Sequence, residues 1–204
     1  MSKETPKKLS KNSIITALQG LAYWISYKKI LYGGHELNEG ALVVEFVCLL
    51  NAKLDSEFKI NCELQYDKSK FGNERMDMEI IRREDESQVA IIEFKRHSAG
   101  KELINRDMKR LLRAKDSNTL RFLVVTSEEK LPKGYVNEHG IAVRRNVNKE
   151  GGFSAKVIRV LKSTGALKSR NKKGKKPSKA DNPQEVKNPP KANYCCLIEI
   201  LPQR

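Results

Sequence analysis

The sequence predicts an α/β or α+β domain, a mixed β-sheet flanked by helices, on the strength of three observations. Helical periodicity fills the first part of the chain, three strand-like runs follow it in direct succession, and a further helix then leads into an apolar strand. With 39% hydrophobic residues among 204, the chain can bury one principal core but not two.

Residues 12–31 carry Ile14, Leu18, Leu21 and Ile25 on one side, with Asn12 or Ser13 available as a cap and Gly33-Gly34 to end the helix. A second helix is expected from about His35 to Leu54. Strands are expected at Phe58–Tyr66, Arg75–Arg82 and Gln88–Lys95, and helical periodicity returns at 101–115. Leu120–Thr126 reads as a buried strand, Ile141–Arg145 as a short one, and Lys156–Leu161 and Tyr194–Leu201 as two more. No internal repeat is evident.

Charge divides the chain further. The net charge is +15, and residues 162–193 hold ten Lys and Arg against only Asp181 and Glu185. The first eleven residues contribute four lysines against Glu4. The organisation expected is therefore a basic N-terminal segment over 1–11, one domain formed by 12–164 and 194–204, and a disordered Lys-rich loop over 165–193. That loop has almost no apolar side chains to offset the entropy of ordering. Its lysines, Lys172, Lys173, Lys175 and Lys176 foremost, suit a sequence-independent arm that neutralises phosphates. A partner made of nucleic acid is the expectation, DNA more than RNA.

Several classes are set aside by the same arithmetic. No apolar run approaches the roughly 18 residues of a membrane span, and the N-terminus has no apolar stretch of the secretory kind, so a cytoplasmic protein is expected. Cys48, Cys62, Cys195 and Cys196 have neither zinc-site spacing nor the density of a disulfide scaffold. They are expected to be reduced, buried thiols. His35 and His139 read as structural or surface residues.

The chemistry concentrates on carboxylates. At about 100° per residue, Leu42, Val43, Phe46 and Leu50 fall within about 60° of Glu39 on the second helix, whereas Glu45 lies about 120° away, at the edge of the stripe. A carboxylate facing a core must be paired, protonated or metal-bound. A first-turn carboxylate favoured by the helix dipole is the other reading of Glu39. On the strands, a hairpin whose turn centres on Asp85 sets Asp77 opposite Glu93, with Lys95 on the same side by the period of two. Directly opposed like charges are unfavourable unless something positive lies between them. Oxygen ligands gathered in this way suit Mg²⁺ or Mn²⁺, which fill out their coordination with water and phosphate oxygens. A lysine beside them can orient a metal-bound water or stabilise a phosphoryl transition state.

At Asp77 in Arg75-Met-Asp-Met-Glu-Ile and at Glu93-Phe94-Lys95 in Val89-Ala-Ile-Ile-Glu-Phe-Lys-Arg, the sequence resembles the PD-(D/E)XK phosphodiesterases. That superfamily holds many restriction endonucleases, Holliday-junction resolvases and repair nucleases. The resemblance covers about residues 35–126 and implies a restriction-endonuclease-like core in the order α-β-β-β-α-β. It implies a metal-dependent endonuclease, with Asp77 and Glu93 as ligands of Mg²⁺ or Mn²⁺, Phe94 lending its backbone carbonyl and Lys95 acting at the attacking water. Many members also carry a glutamate on the preceding helix; Glu39 matches it best, and is expected as a further catalytic residue and metal ligand, with Glu45 next. The residue before the aspartate is Met76 where the motif has proline. Glu57-Phe-Lys59 and Glu128-Glu-Lys130 also match Glu-x-Lys, but neither combines a preceding apolar strand with an upstream aspartate on a neighbouring one.

Around this motif, Val89 and Ile91 are expected on the side of Glu93, and Glu79 as an accessory or solvated neighbour. Arg96 and His97 could contact phosphate. In the following helix, Asp107 is expected at the core edge, while Lys101, Arg106, Lys109, Arg110, Arg113 and Lys115 form a basic face. A homodimer would suit double-strand cleavage. The competing expectation is a nucleic-acid-binding protein without catalysis on the same fold.

Overall fold

The computed structural model describes residues 8–31, 37–65, 75–114, 116–128, 130–132, 134–135, 153–163 and 192–202. Among them run helices α1 (Lys11–Leu31) and α2 (Glu39–Asn51), strands β1 (Phe58–Gln65), β2 (Arg75–Arg82) and β3 (Gln88–Arg96), and a 3₁₀ turn (His97–Ala99). Helix α3 (Lys101–Leu111) and strands β4 (Leu120–Ser127), β5 (Phe153–Ser163) and β6 (Asn193–Pro202) complete the order. The fold is mixed α+β. One six-stranded sheet is ordered β1-β2-β3-β4-β6-β5, antiparallel throughout except between β3 and β4. A parallel pair needs a crossover, and α3 lies within it.

Two cores lie on the two faces of the sheet. The apolar stripes of α1 and α2 meet Ala90, Ile92, Phe94, Phe122, Val124 and Leu197 on one face. On the other, Ile104, Met108 and Leu111 of α3 meet Ile91, Leu123, Val125 and Ile198. Strands covered on both sides read as continuous apolar runs, which is why β4 and most of β6 are buried along their length.

The second helix is shorter than its periodicity suggests. Leu37 and Asn38 are non-helical, and Asn38 Oδ1 accepts the Ala41 N–H at 2.7 Å, a capping bond that fixes Glu39 as the first helical residue. Gly20 lets α1 approach, since a Cβ there would stand 3.2 Å from the methyl carbons of Leu49. Further along α2, the Phe46 ring packs on Phe94 of β3 with centroids 5.0 Å apart.

The β2–β3 register sets Met78, Glu79 and Ile80 opposite Ile92, Ile91 and Ala90, the alignment expected for a turn centred on Asp85. Asp85 organises that turn by accepting the Ser87 N–H and hydroxyl at 3.0 and 2.6 Å. The register then shifts, with Ile81 facing Gln88, so Val89 is the unpaired extra residue of a bulge. Val89 consequently packs with the α1–α2 core while Ile91 belongs to the α3 core. The expectation that both share the side of Glu93 holds only for Ile91.

Two cysteines also depart from expectation. Cys195 and Cys196 are buried on the inner strand β6, where burial pushes both thiols up, Cys196 to about 12. Cys48 and Cys62 are exposed, because Cys48 lies on the outer side of α2 with Val44 and Cys62 lies on the edge strand β1. At the N-terminal end, Leu9 enters the α1–α2 core and Lys11 begins α1 and pairs with Glu199, so the basic segment joins the fold before residue 12. Ile141–Arg145, Lys115 and the loop lysines Lys172, Lys173, Lys175 and Lys176 lie outside the described residues, as do His35 and His139. No helix among the described residues is long and apolar enough to cross a membrane.

Phe46 is fully buried, and its contact with Phe94 ties α2 to the strand bearing Glu93 and Lys95. Phe46→Ala should lower the unfolding free energy by about 3–5 kcal/mol, measured by urea denaturation.

Candidate active site

The C-terminal half of β3 and the start of β2 bring the expected residues together. Asp77 Oδ2 accepts the Phe94 N–H at 2.6 Å. Its carboxyl also hydrogen-bonds that of Glu93, which is only 1% exposed. A hydrogen bond between two carboxyls requires a proton on one of them; when both ionise, a cation must take the proton's place. Burial pushes Asp77 above its ordinary range, and the nearby Glu39 carboxylate adds to this, while the Phe94 N–H, Glu93 and Lys95 pull in the other direction.

Lys95 joins the two faces of the sheet. Its Nζ lies 2.9 Å from Glu39 Oε1 of α2 and 3.3 Å from Asp107 Oδ2 of α3. Burial opposes the charged amine, but Glu39 and Asp107 outweigh it and raise its pKa. Lys95 is therefore an ammonium at neutral pH. The other Glu39 oxygen accepts the Arg96 N–H at 3.2 Å. Of the two helix candidates, Glu39 thus stands at the motif, while Glu45 forms no hydrogen bond or ion pair among the described residues.

Asp107 is the participant that sequence reasoning placed only at the core edge. It is fully buried and also accepts from Arg110 at 3.1 Å, and Arg110 in turn donates to the Arg75 carbonyl at the start of β2. The signal was available: Asp107 falls on the same helical stripe as Ile104, Met108 and Leu111, the argument that singles out Glu39. Arg110 consequently leaves the basic face, where Lys101, Arg106 and Lys109 are exposed.

Other candidates lie differently. Glu79 spends both oxygens on Asn61 and Gln88, at 3.1 and 2.7 Å. Arg96 pairs with Glu128 at 3.7 Å, and Lys29 of α1 meets the same carboxylate at 3.2 Å. The His97 ring stands edge-on to Tyr135, with its pKa lowered by burial and by Lys130.

The donors at Asp77 and Glu93 are two carboxylates beside a strand backbone, an all-oxygen set of the kind Mg²⁺ or Mn²⁺ accepts together with water. Among the described residues, no group of three His, Cys, Asp or Glu side chains forms a ready-made cage. Ser163 and Asn193, which flank the basic segment in sequence, are paired near this end of the sheet, where Arg96 pairs with Thr126 and Ser127 with Tyr194. Asn193 and Ser163 are further joined through Ser26 of α1. Comparison of the chain with protein-family models, curated proteins and solved structures finds no match.

Two outcomes test this geometry. An acid whose pKa is raised by folding contributes stability below its unfolded value and loses it as pH rises through the folded one. Asp77→Asn, which keeps an acceptor for the Phe94 N–H, should therefore stabilise the metal-free protein at pH 7. The gain in thermal midpoint should shrink as pH falls through the raised Asp77 value toward the ordinary aspartate value of 3.8, and be gone below it. Separately, a double-mutant cycle between Lys95→Met and Asp107→Leu should give a coupling of about 1–3 kcal/mol in urea unfolding. Lys95→Met alone should be more damaging than the pair, because it strands a buried carboxylate.

Proposed function

We propose that the protein is a metal-dependent endonuclease on a restriction-endonuclease-like core, hydrolysing phosphodiester bonds in DNA. The observation that carries this reading is the Asp77–Glu93 carboxyl pair, Glu93 buried and Asp77 half-buried, with the Lys95 ammonium beside it. A purely structural ion-pair network has little reason to press two carboxylates together and give its lysine to other acids. The element order from α2 to β4 and the resemblance at Asp77, Glu93 and Lys95 support the same reading.

Asp77, Glu93 and the Phe94 carbonyl would hold Mg²⁺ or Mn²⁺, which when bound lowers the pKa of a water and stabilises charge on phosphoryl oxygens. The chain's own groups do the rest. The Phe94 N–H fixes the Asp77 carboxylate in one orientation. Lys95, held charged by Glu39 and Asp107, offers an N–H donor for the attacking water or for a phosphoryl oxygen. Glu39 acts as the acceptor that aims Lys95, since both its oxygens are engaged at Lys95 and Arg96. The Lys-rich segment, including Lys172, Lys173, Lys175 and Lys176, holds the polyanion through phosphates and contributes no base selectivity.

The test is cleavage of supercoiled plasmid, linear single-stranded DNA and RNA in Mg²⁺, Mn²⁺ or EDTA. Wild type should nick or linearise plasmid only with metal, and Asp77→Ala and Lys95→Ala should each lose about 10²-fold or more. Cleavage that persists in EDTA, or in both variants, would overturn the reading.

A further inference from the structure

A helix packed on a sheet ordinarily turns charged side chains to water. Helices α1 and α2 carry few, only Lys11, Lys28, Lys29, Glu39 and Glu45. From Asn12 to Tyr27 there is no charged residue, and from Gly40 to Asn51 there is only Glu45, in a chain that is 32% charged. The inner stripes are accounted for, since Leu18, Leu21, Leu42 and Phe46 are buried against the sheet. The outer side carries Tyr23, Tyr27, Ile30 and Leu31 of α1, each about half exposed, and Val44 of α2, 65% exposed. Both helices pack side by side on one face of the sheet, so their outer sides belong to one layer. Tyr23, Tyr27, Ile30 and Leu31 follow at helical spacing along α1, and exposed apolar surface of this kind marks an interaction site.

Charge decides what covers it. A nucleic acid needs cations, and the lysines of the last turn of α1 are directed elsewhere: Lys28 lies over the Trp24 ring at 5.5 Å and Lys29 meets Glu128. A second copy of a +15 chain is repelled by most of this surface and least by its uncharged part. A twofold contact sets a patch against itself, so a patch without net charge suits it and a basic one does not. The area is also adequate. Helices of 21 and 13 residues, at about 1.5 Å per residue and about 10 Å between axes, span roughly 30 by 20 Å, of the order of the ~800 Å² that each partner gives to a standard interface.

We propose that the outer face of α1 and α2 is the contact between two copies of this chain, an isologous dimer centred on Tyr23, Tyr27, Ile30, Leu31 and Val44. This assignment stands on the helical surface alone and does not depend on the nuclease reading.

Sedimentation velocity of the full chain, free of nucleic acid, from about 1 to 100 µM, tests it. Wild type should sediment at twice the 23.3 kDa chain mass, and association should tighten as salt screens the repulsion. Tyr27→Glu and Val44→Glu alter side chains already exposed in one copy, so their thermal midpoints by circular dichroism should match monomeric wild type. Each should raise the dimer dissociation constant about 100-fold or more, because a charge would enter the interface. A wild type that stays at 23.3 kDa throughout, or a dimer that both substitutions leave intact, would overturn the proposal.

Discussion

The ammonium of Lys95 is the point on which the site is organised. It stands at the end of β3, between a carboxylate from the helical layer on one face of the sheet and a carboxylate from the helix on the other. Asp107 is fully buried, and an ionised carboxylate there is tolerable only with cations close by. Lys95 and Arg110 provide them. The same charge reaches Glu39, whose second oxygen caps the Arg96 N–H. The strand end, α2 and α3 are thus held in one geometry by a single side chain, and the placement of Asp77 and Glu93 relative to Lys95 follows from it.

Much of this arrangement was legible because strands and helices obey short periods. The alternation in Arg75–Arg82 and the polar turn around Asp85 locate the hairpin and its register, so Asp77 and Glu93 could be set side by side from residue numbers alone. The bulge at Val89 was not legible, since one extra residue changes which face a side chain takes without changing composition. Cys48 and Cys62 were misjudged for a related reason: each sits in an apolar run, and neighbours say less than the phase of the period about where a residue points. Glu39 and Asp107 carry the same signature, an acid on an apolar helical stripe. Their common partner Lys95, on the third strand after α2 and on the strand before α3, cannot be read from that signature, because the pairing depends on tertiary packing. The absence of matches to known families leaves the fold's finer class to rest on geometry and on the resemblance at three residues.

The distribution of charge has its own logic. Glu93 and Asp107 are buried at the site, while a large part of the positive excess resides in a segment flanked by Ser163 and Asn193, which are paired. The uncharged outer face of α1 and α2 is the complementary solution, a surface on which neither sign accumulates.

These two features bear on how a polyanion could reach the carboxylates. Asp77, Glu93, Glu39 and Asp107 outnumber the cations Lys95 and Arg110 that lie among them. On the nuclease reading, such a centre repels phosphate until a divalent cation joins it, even though the whole chain is strongly basic. Binding and cleavage are then separable by construction. The Lys-rich segment would then retain nucleic acid through phosphates without metal, whereas a phosphodiester would approach the carboxylate pair only once a divalent cation had neutralised it.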